Sequence, residues 1–140
     1  MKRVLLYIWQ LPQHLLALII LKLVNRGVSI KEKWFGHYVY YVKHGVFNCG
    51  VSLGNYIILY NDLKLNNKTI TVIKHEIGHS KQSLFFGWFY LLLVGLPSIC
   101  NNITDRLFHK KWDYEKRYNW YYSRYPEKWA DKLGGVLIRK

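Results

Sequence analysis

Thr69-Ile70-Thr71-Val72-Ile73-Lys74-His75-Glu76-Ile77-Gly78-His79 reads as the opening of a helix, with the hydroxyl of Thr69 or Thr71 as its cap. Residues four apart share one helix face, so the ring nitrogens of His75 and His79 can converge on a single metal ion. Glu76, beside the first histidine, can reach a water on the open position of that metal. The spacing carries this meaning only on a helix. Two ordinary surface or core histidines are the plainer alternative.

Upstream, His37 to Lys43 is rich in aromatic and β-branched residues and is closed by His44-Gly45. Val46 to Leu53 and Tyr56 to Tyr60 read as further strands around a turn at Gly54-Asn55. A small antiparallel sheet of two or three strands within residues 31–62 is the economical reading. His37 and His44 are expected to be strand and turn residues. Tyr56 to Tyr60 is either part of the sheet or an edge that pairs with an extended peptide. Further upstream, the apolar run Val4 to Val24 is long enough, at about 1.5 Å per residue, to cross a bilayer core. No small-x-small cleavage site follows it, so residues 1–26 are expected to be an uncleaved membrane anchor. Gln10, Pro12, Gln13 and His14 interrupt the run, and their polar groups are expected to face protein or water rather than lipid. A helix lying in the interface is the alternative.

Downstream, Leu84 to Leu96 carries no charge but spans only about 20 Å as a helix. Gly95 and Pro97 stop or bend it. A re-entrant, interfacial or buried segment fits better than a full crossing. A charged aromatic helix is expected from about Asp105 to Tyr122. A short one follows at Pro126 to Leu133, stopped by Gly134-Gly135. The chain of 140 residues has room for one domain.

Lys and Arg number 21 against 8 Asp and Glu, a net charge of +13 that calls for an anionic partner. Lys110-Lys111-Trp112 and the basic aromatic residues after it would suit single-stranded nucleic acid. Beside two apolar runs they suit a membrane interface better, and no nucleic-acid partner is expected. Lys22, Arg26, Lys31 and Lys33 outweigh Lys2 and Arg3, which places the functional part on the cytoplasmic side. Cys49 and Cys100 make no disulfide framework and are expected to be buried apolar residues.

A catalytic zinc needs a third protein ligand. Beyond His79 the candidates are Asp105, Asp113, Glu115, Glu127, Asp131 and His109. At this point the sequence resembles the gluzincin clan of zinc metallopeptidases, which pairs His-Glu-x-x-His with a downstream helix carrying Glu-x-x-x-Asp. Glu127-Lys128-Trp129-Ala130-Asp131 matches that second motif. The resemblance implies Zn²⁺ held by His75, His79 and Glu127, Glu76 as general base, and Asp131 behind a ligand histidine, most simply His75. A fainter likeness to small uncharacterised bacterial membrane proteins extends over Ser52 to Ile57, Gln82-Ser83 and Gly95 to Ser98. The chain lacks the large substrate domain of full-size clan members. Tyr121, Tyr122, Tyr125 and His109 can all donate to an oxyanion, and sequence does not choose among them.

The expectation is therefore an α+β, membrane-associated, mostly helical domain. It hydrolyses a peptide or protein substrate near the bilayer, touching membrane lipid, with a substrate-binding site that is unknown. The alternative is a non-catalytic basic protein that binds anionic lipid or a membrane partner.

Overall fold

A computed structural model describes residues 2–24, 28–42, 50–60 and 69–136. The fold is α+β and mostly helical. The amino-terminal run forms two helices, α1 (Lys2–Trp9) and α2 (Leu11–Ile19), the second extended by a π-helical turn at Ile20–Val24. Pro12 lies in the first turn of α2 and has no N–H for the carbonyl of Ile8. The indole of Trp88 donates to that carbonyl instead, at 2.8 Å. The single anchor helix expected over Val4 to Val24 is thus replaced by two. Among the described residues, no helix is long and apolar enough to cross a membrane.

The sheet has strands β1 (Val28–Trp34), β2 (His37–Val42), β3 (Val51–Leu53) and β4 (Tyr56–Tyr60), in the order β1-β2-β4-β3. β1 and β2 form a hairpin whose two turn residues, Phe35 and Gly36, both have positive φ, the conformation that matches strand twist. β3 and β4 form a second hairpin around Gly54-Asn55. The pairing of β2 with β4 is parallel, so the sheet is mixed and not the antiparallel one expected. The reason lies in β4. Ile57, Ile58 and Leu59 are all buried, so both faces of the strand are covered and it takes an interior place. β2 pairs along all of Tyr56 to Tyr60 and β3 along Tyr56 to Ile58, so among the described residues Tyr56 to Ile58 has no open edge for a peptide. β1 escaped the sequence reading because Lys31, Glu32 and Lys33 look like a loop, yet charge is how edge strands resist aggregation.

Helix α3 (Thr69–Phe86) packs Ile73 and Ile77 on Val39, Tyr41, Ile57 and Leu59 of the sheet. It is buried over most of its circumference, including the polar His75, Glu76, His79, Ser80, Gln82 and Ser83. A 3₁₀ turn (Gly87–Phe89), a π-helical turn (Leu91–Gly95) and α4 (Leu96–Phe108) follow. The end of α3 leaves carbonyls without helical partners. Trp9 Nε1 donates to that of Leu84 at 2.9 Å, and Gln13 Nε2 adds a second donor to the carbonyl of Gly87, which also accepts from the backbone N–H of Tyr90. A small second core of Ala17, Leu53, Tyr90 and Val94 ties α2 to this segment. Pro97 does not stop the chain but sits in the first turn of α4.

The helix expected from Asp105 to Tyr122 is two helices. α4 ends at Phe108, and α5 (Tyr114–Tyr122) begins anew with Asp113 as its cap, accepting from the backbone N–H of Lys116 at 2.8 Å. α6 (Glu127–Gly134) closes on Gly135 at φ +72°. Cys100 is exposed, contrary to expectation; Cys49 and His44 lie outside the described residues.

Candidate metal centre

α3 and α6 cross closely because two glycines meet backbone. A Cβ at Gly78 would overlap the carbonyl of Ala130, and one at Gly134 would overlap that of Lys74. Gly78→Ala is therefore expected to cost about 1–3 kcal/mol and to part the two helices, read as a lower denaturant midpoint together with lost zinc binding. An unchanged midpoint would mean that the crossing is looser than described.

The crossing sets Glu127 and Asp131, one turn apart on α6, against His75 and His79 on α3. His75 Nε2, His79 Nε2 and Glu127 Oε2 lie 3.0–3.1 Å from one another, and all three residues are buried. Each is steadied from behind. His75 Nδ1 lies 2.7 Å from Asp131 Oδ1. His79 Nδ1 lies 2.7 Å from Gln82 Oε1, and Gln82 is fixed in that sense because its Nε2 donates to the carbonyl of Pro126 at 3.0 Å. Ser98 on α4 donates to Glu127 Oε1 at 2.5 Å, leaving Oε2 to face the histidines. Both Nδ1 atoms therefore carry protons directed at acceptors, and both Nε2 atoms point at the same place as the carboxylate oxygen.

Such a meeting of two ring nitrogens and a carboxylate oxygen can hold a cation between them. Four-coordinate zinc with bonds of about 2.0–2.1 Å would separate its ligand atoms by about 3.4 Å, close to the spacing found. The local charge agrees. Of the 8 acidic residues in this strongly basic chain, Glu76, Glu127 and Asp131 gather here. Without metal, a proton takes the position. Burial opposes a charged His75, but hydrogen bonds to Asp131 and Glu127, with the charges of Glu76 and Glu127, outweigh it and push the pKa up to about 9. Burial likewise opposes ionised Glu127, yet bonds and charge from His75 and His79 hold its carboxyl well below the usual range.

Two pH effects follow. A metal must displace the His75 proton, so its affinity is expected to rise by about tenfold per pH unit and to level off above about 9, as titration calorimetry can measure. In the metal-free fold, the contribution of His75 is complete below 6.5 and is lost as pH rises through about 9. The contribution of Glu127 is present above 4.5 and is lost as pH falls below it. Chelated protein should thus be most resistant to urea between 4.5 and 6.5. An affinity flat from about pH 7 to 9 would contradict the assignment of the proton.

Glu76 is buried next in the chain to His75 and crowds the backbone at Gly50, where a Cβ would overlap its carboxylate. Of the oxyanion candidates, Tyr122 lies edge-on to the His75 ring at 5.3 Å between centroids, and Tyr121 lies 3.5 Å from Ser98 Oγ. Burial and the charge of Glu127 raise the pKa of Tyr121 far above its ordinary value. Tyr125 instead donates to the carbonyl of Leu93 at 2.6 Å, four residues before Pro97, which has no N–H to offer it.

The remaining candidate ligands stand apart. His109 stacks on Trp112 at 3.8 Å and meets the edge of Trp120, while Asp105 holds Arg117 at 2.5 Å, so the pair builds the α4–α5 corner. Asp113 is a helix cap and Glu115 is exposed in the first turn of α5. His14 lies between the rings of Tyr7 and Tyr56 and accepts from the N–H of Asn55 at 3.4 Å; burial depresses its pKa. His37 lies half-buried, 3.4 Å from Ser80 Oγ. Gln82 and Ser98 escaped the sequence reading as working residues. Both lie in the stretches of fainter likeness, which gave them no role; Gln82 also has a local signal in its place one turn after His79, whereas Ser98 comes from another helix. Comparisons of the chain with models of protein families, with curated proteins and with solved structures find no match.

Proposed function

We propose that the chain is a zinc-dependent metallopeptidase of the gluzincin type that acts on peptide or protein substrates at a membrane, with its site on the cytoplasmic side. One observation carries this reading: the two Nε2 atoms and the carboxylate oxygen of Glu127 converge, each held by its own partner. A zinc ion bound there supplies a Lewis acid for the scissile carbonyl and a water acidic enough to lose its proton near neutral pH.

The chain's own groups do the rest. Glu76 takes the proton of the attacking water and passes it to the leaving amine, so one carboxylate acts first as base and then as acid. Asp131 and Gln82 fix the tautomer and orientation of the two ligand histidines, and Ser98 fixes the carboxylate. Tyr121, whose hydroxyl lies beside Ser98, and Tyr122, whose ring meets that of His75, border the site and are the candidate donors to a developing oxyanion. The test is cleavage of a quenched-fluorescence peptide library by zinc-loaded protein in detergent. Cleavage should stop on chelation and return with zinc. Cleavage indifferent to chelation, or none with zinc bound, would count against a peptidase.

A further inference from the structure

Helices α1 and α2 are inside out. Their buried positions are Gln10, Gln13, His14 and Ala17, whereas Leu5, Ile8, Leu15 and Leu18 stand 49–61% exposed. The segment after His79 repeats the pattern. Phe85, Phe89, Leu92 and Phe108 are 60–76% exposed, and α4 buries none of its residues. Patches of this extent mark a surface with an apolar partner.

Two tryptophans join these elements into one face. Trp9 donates its indole N–H to the carbonyl of Leu84, and Trp88 donates to that of Ile8. Each ring thereby satisfies its single donor inside the protein and turns outward around an apolar hollow that Leu5, Leu6 and Ile8 complete. We infer that α1, α2 and the stretch from Phe85 to Phe108 form a monotopic docking face that lies in the plane of an anionic bilayer, its apolar side chains among the acyl chains. This extends the membrane part of the proposed function and does not depend on the metal. The occupant follows from charge. Lys22 ends the first apolar element, and Lys110 and Lys111 follow the second, all exposed. At +13, a second copy of the chain would be repelled where an anionic headgroup is attracted.

The placement also orients the site. The stretch that turns Leu92, Leu93, Leu96 and Ile99 outward turns Ser98 inward to Glu127 and gives the Leu93 carbonyl to Tyr125. The metal centre therefore lies behind one layer of helix, about 10 Å thick, from the lipid side.

Flotation of the full chain with vesicles tests the inference. The protein, chelated or zinc-loaded, should float with phosphatidylcholine vesicles containing phosphatidylglycerol, and bind about tenfold or more weakly to phosphatidylcholine alone. Acyl-brominated lipid should quench its tryptophan fluorescence, a readout that needs no variant. The double variant Phe89→Glu, Leu92→Glu should lose about tenfold or more in vesicle binding while keeping its zinc. Failure to float, tryptophans quenched by aqueous iodide but not by brominated lipid, or a discrete dimer in buffer that ignores vesicles would each overturn it. Flotation without zinc binding would instead sink the peptidase reading and leave the docking face standing.

Discussion

Glu76→Gln is expected to lower peptide hydrolysis by about a thousandfold while zinc binding is retained, its affinity changed by about tenfold at most. Glutamine keeps the shape of the side chain at Gly50 and removes the group that accepts a proton. Because Glu76 is not in the converging group, its loss should act on turnover far more than on affinity, which changes only through the lost charge beside His75. Steady-state rates beside titration calorimetry separate the two quantities. A variant as active as wild type would remove the base from the mechanism, and a variant that loses zinc would make Glu76 a ligand.

Glu127→Ala should weaken zinc binding by more than about a hundredfold, and Asp131→Asn by about ten- to a hundredfold, the range of an outer partner. The order of the two is the point. Glu127 contributes an oxygen within 3.1 Å of both ligand nitrogens, whereas Asp131 acts through His75. Removing Glu127 also leaves the raised pKa of His75 with one partner fewer, so the pH dependence of residual binding should shift downward. Equal losses in the two variants would mean that Glu127 only positions a histidine.

Sequence made the pairing of His75 and His79 on α3 legible because its rule is local: two histidines four apart share a face wherever a helix forms. From the residues alone the third ligand stayed open among six candidates, and Glu127 and Asp131 were singled out by the resemblance of their spacing to the gluzincin second motif. What local pattern cannot supply is the approach of the two helices. Gly78 and Gly134 allow it, and each looks ordinary until the opposing carbonyl is known. The polar interruption at Gln10, Gln13 and His14 was also legible. Those side chains are buried against protein, with Gln10 donating to Ser83 at 2.8 Å. The parallel pairing of β2 and β4 depends on contacts distant in sequence, although the uninterrupted apolar Ile57-Ile58-Leu59 was a signal for an interior strand. The break between α4 and α5 was marked by Asp113, a side chain suited to capping, and was hidden by the helical spacing of aromatic residues across it.

The central claim is a three-residue metal site, and X-ray absorption at the zinc edge of stoichiometrically loaded protein tests it most directly. About one zinc per chain is expected, with two imidazoles at about 2.0–2.1 Å, oxygen in the remaining positions and no sulfur. The imidazole signal should halve in His79→Ala. Protein that takes up no zinc, or zinc whose spectrum carries no imidazole or is unchanged in that variant, would contradict the account.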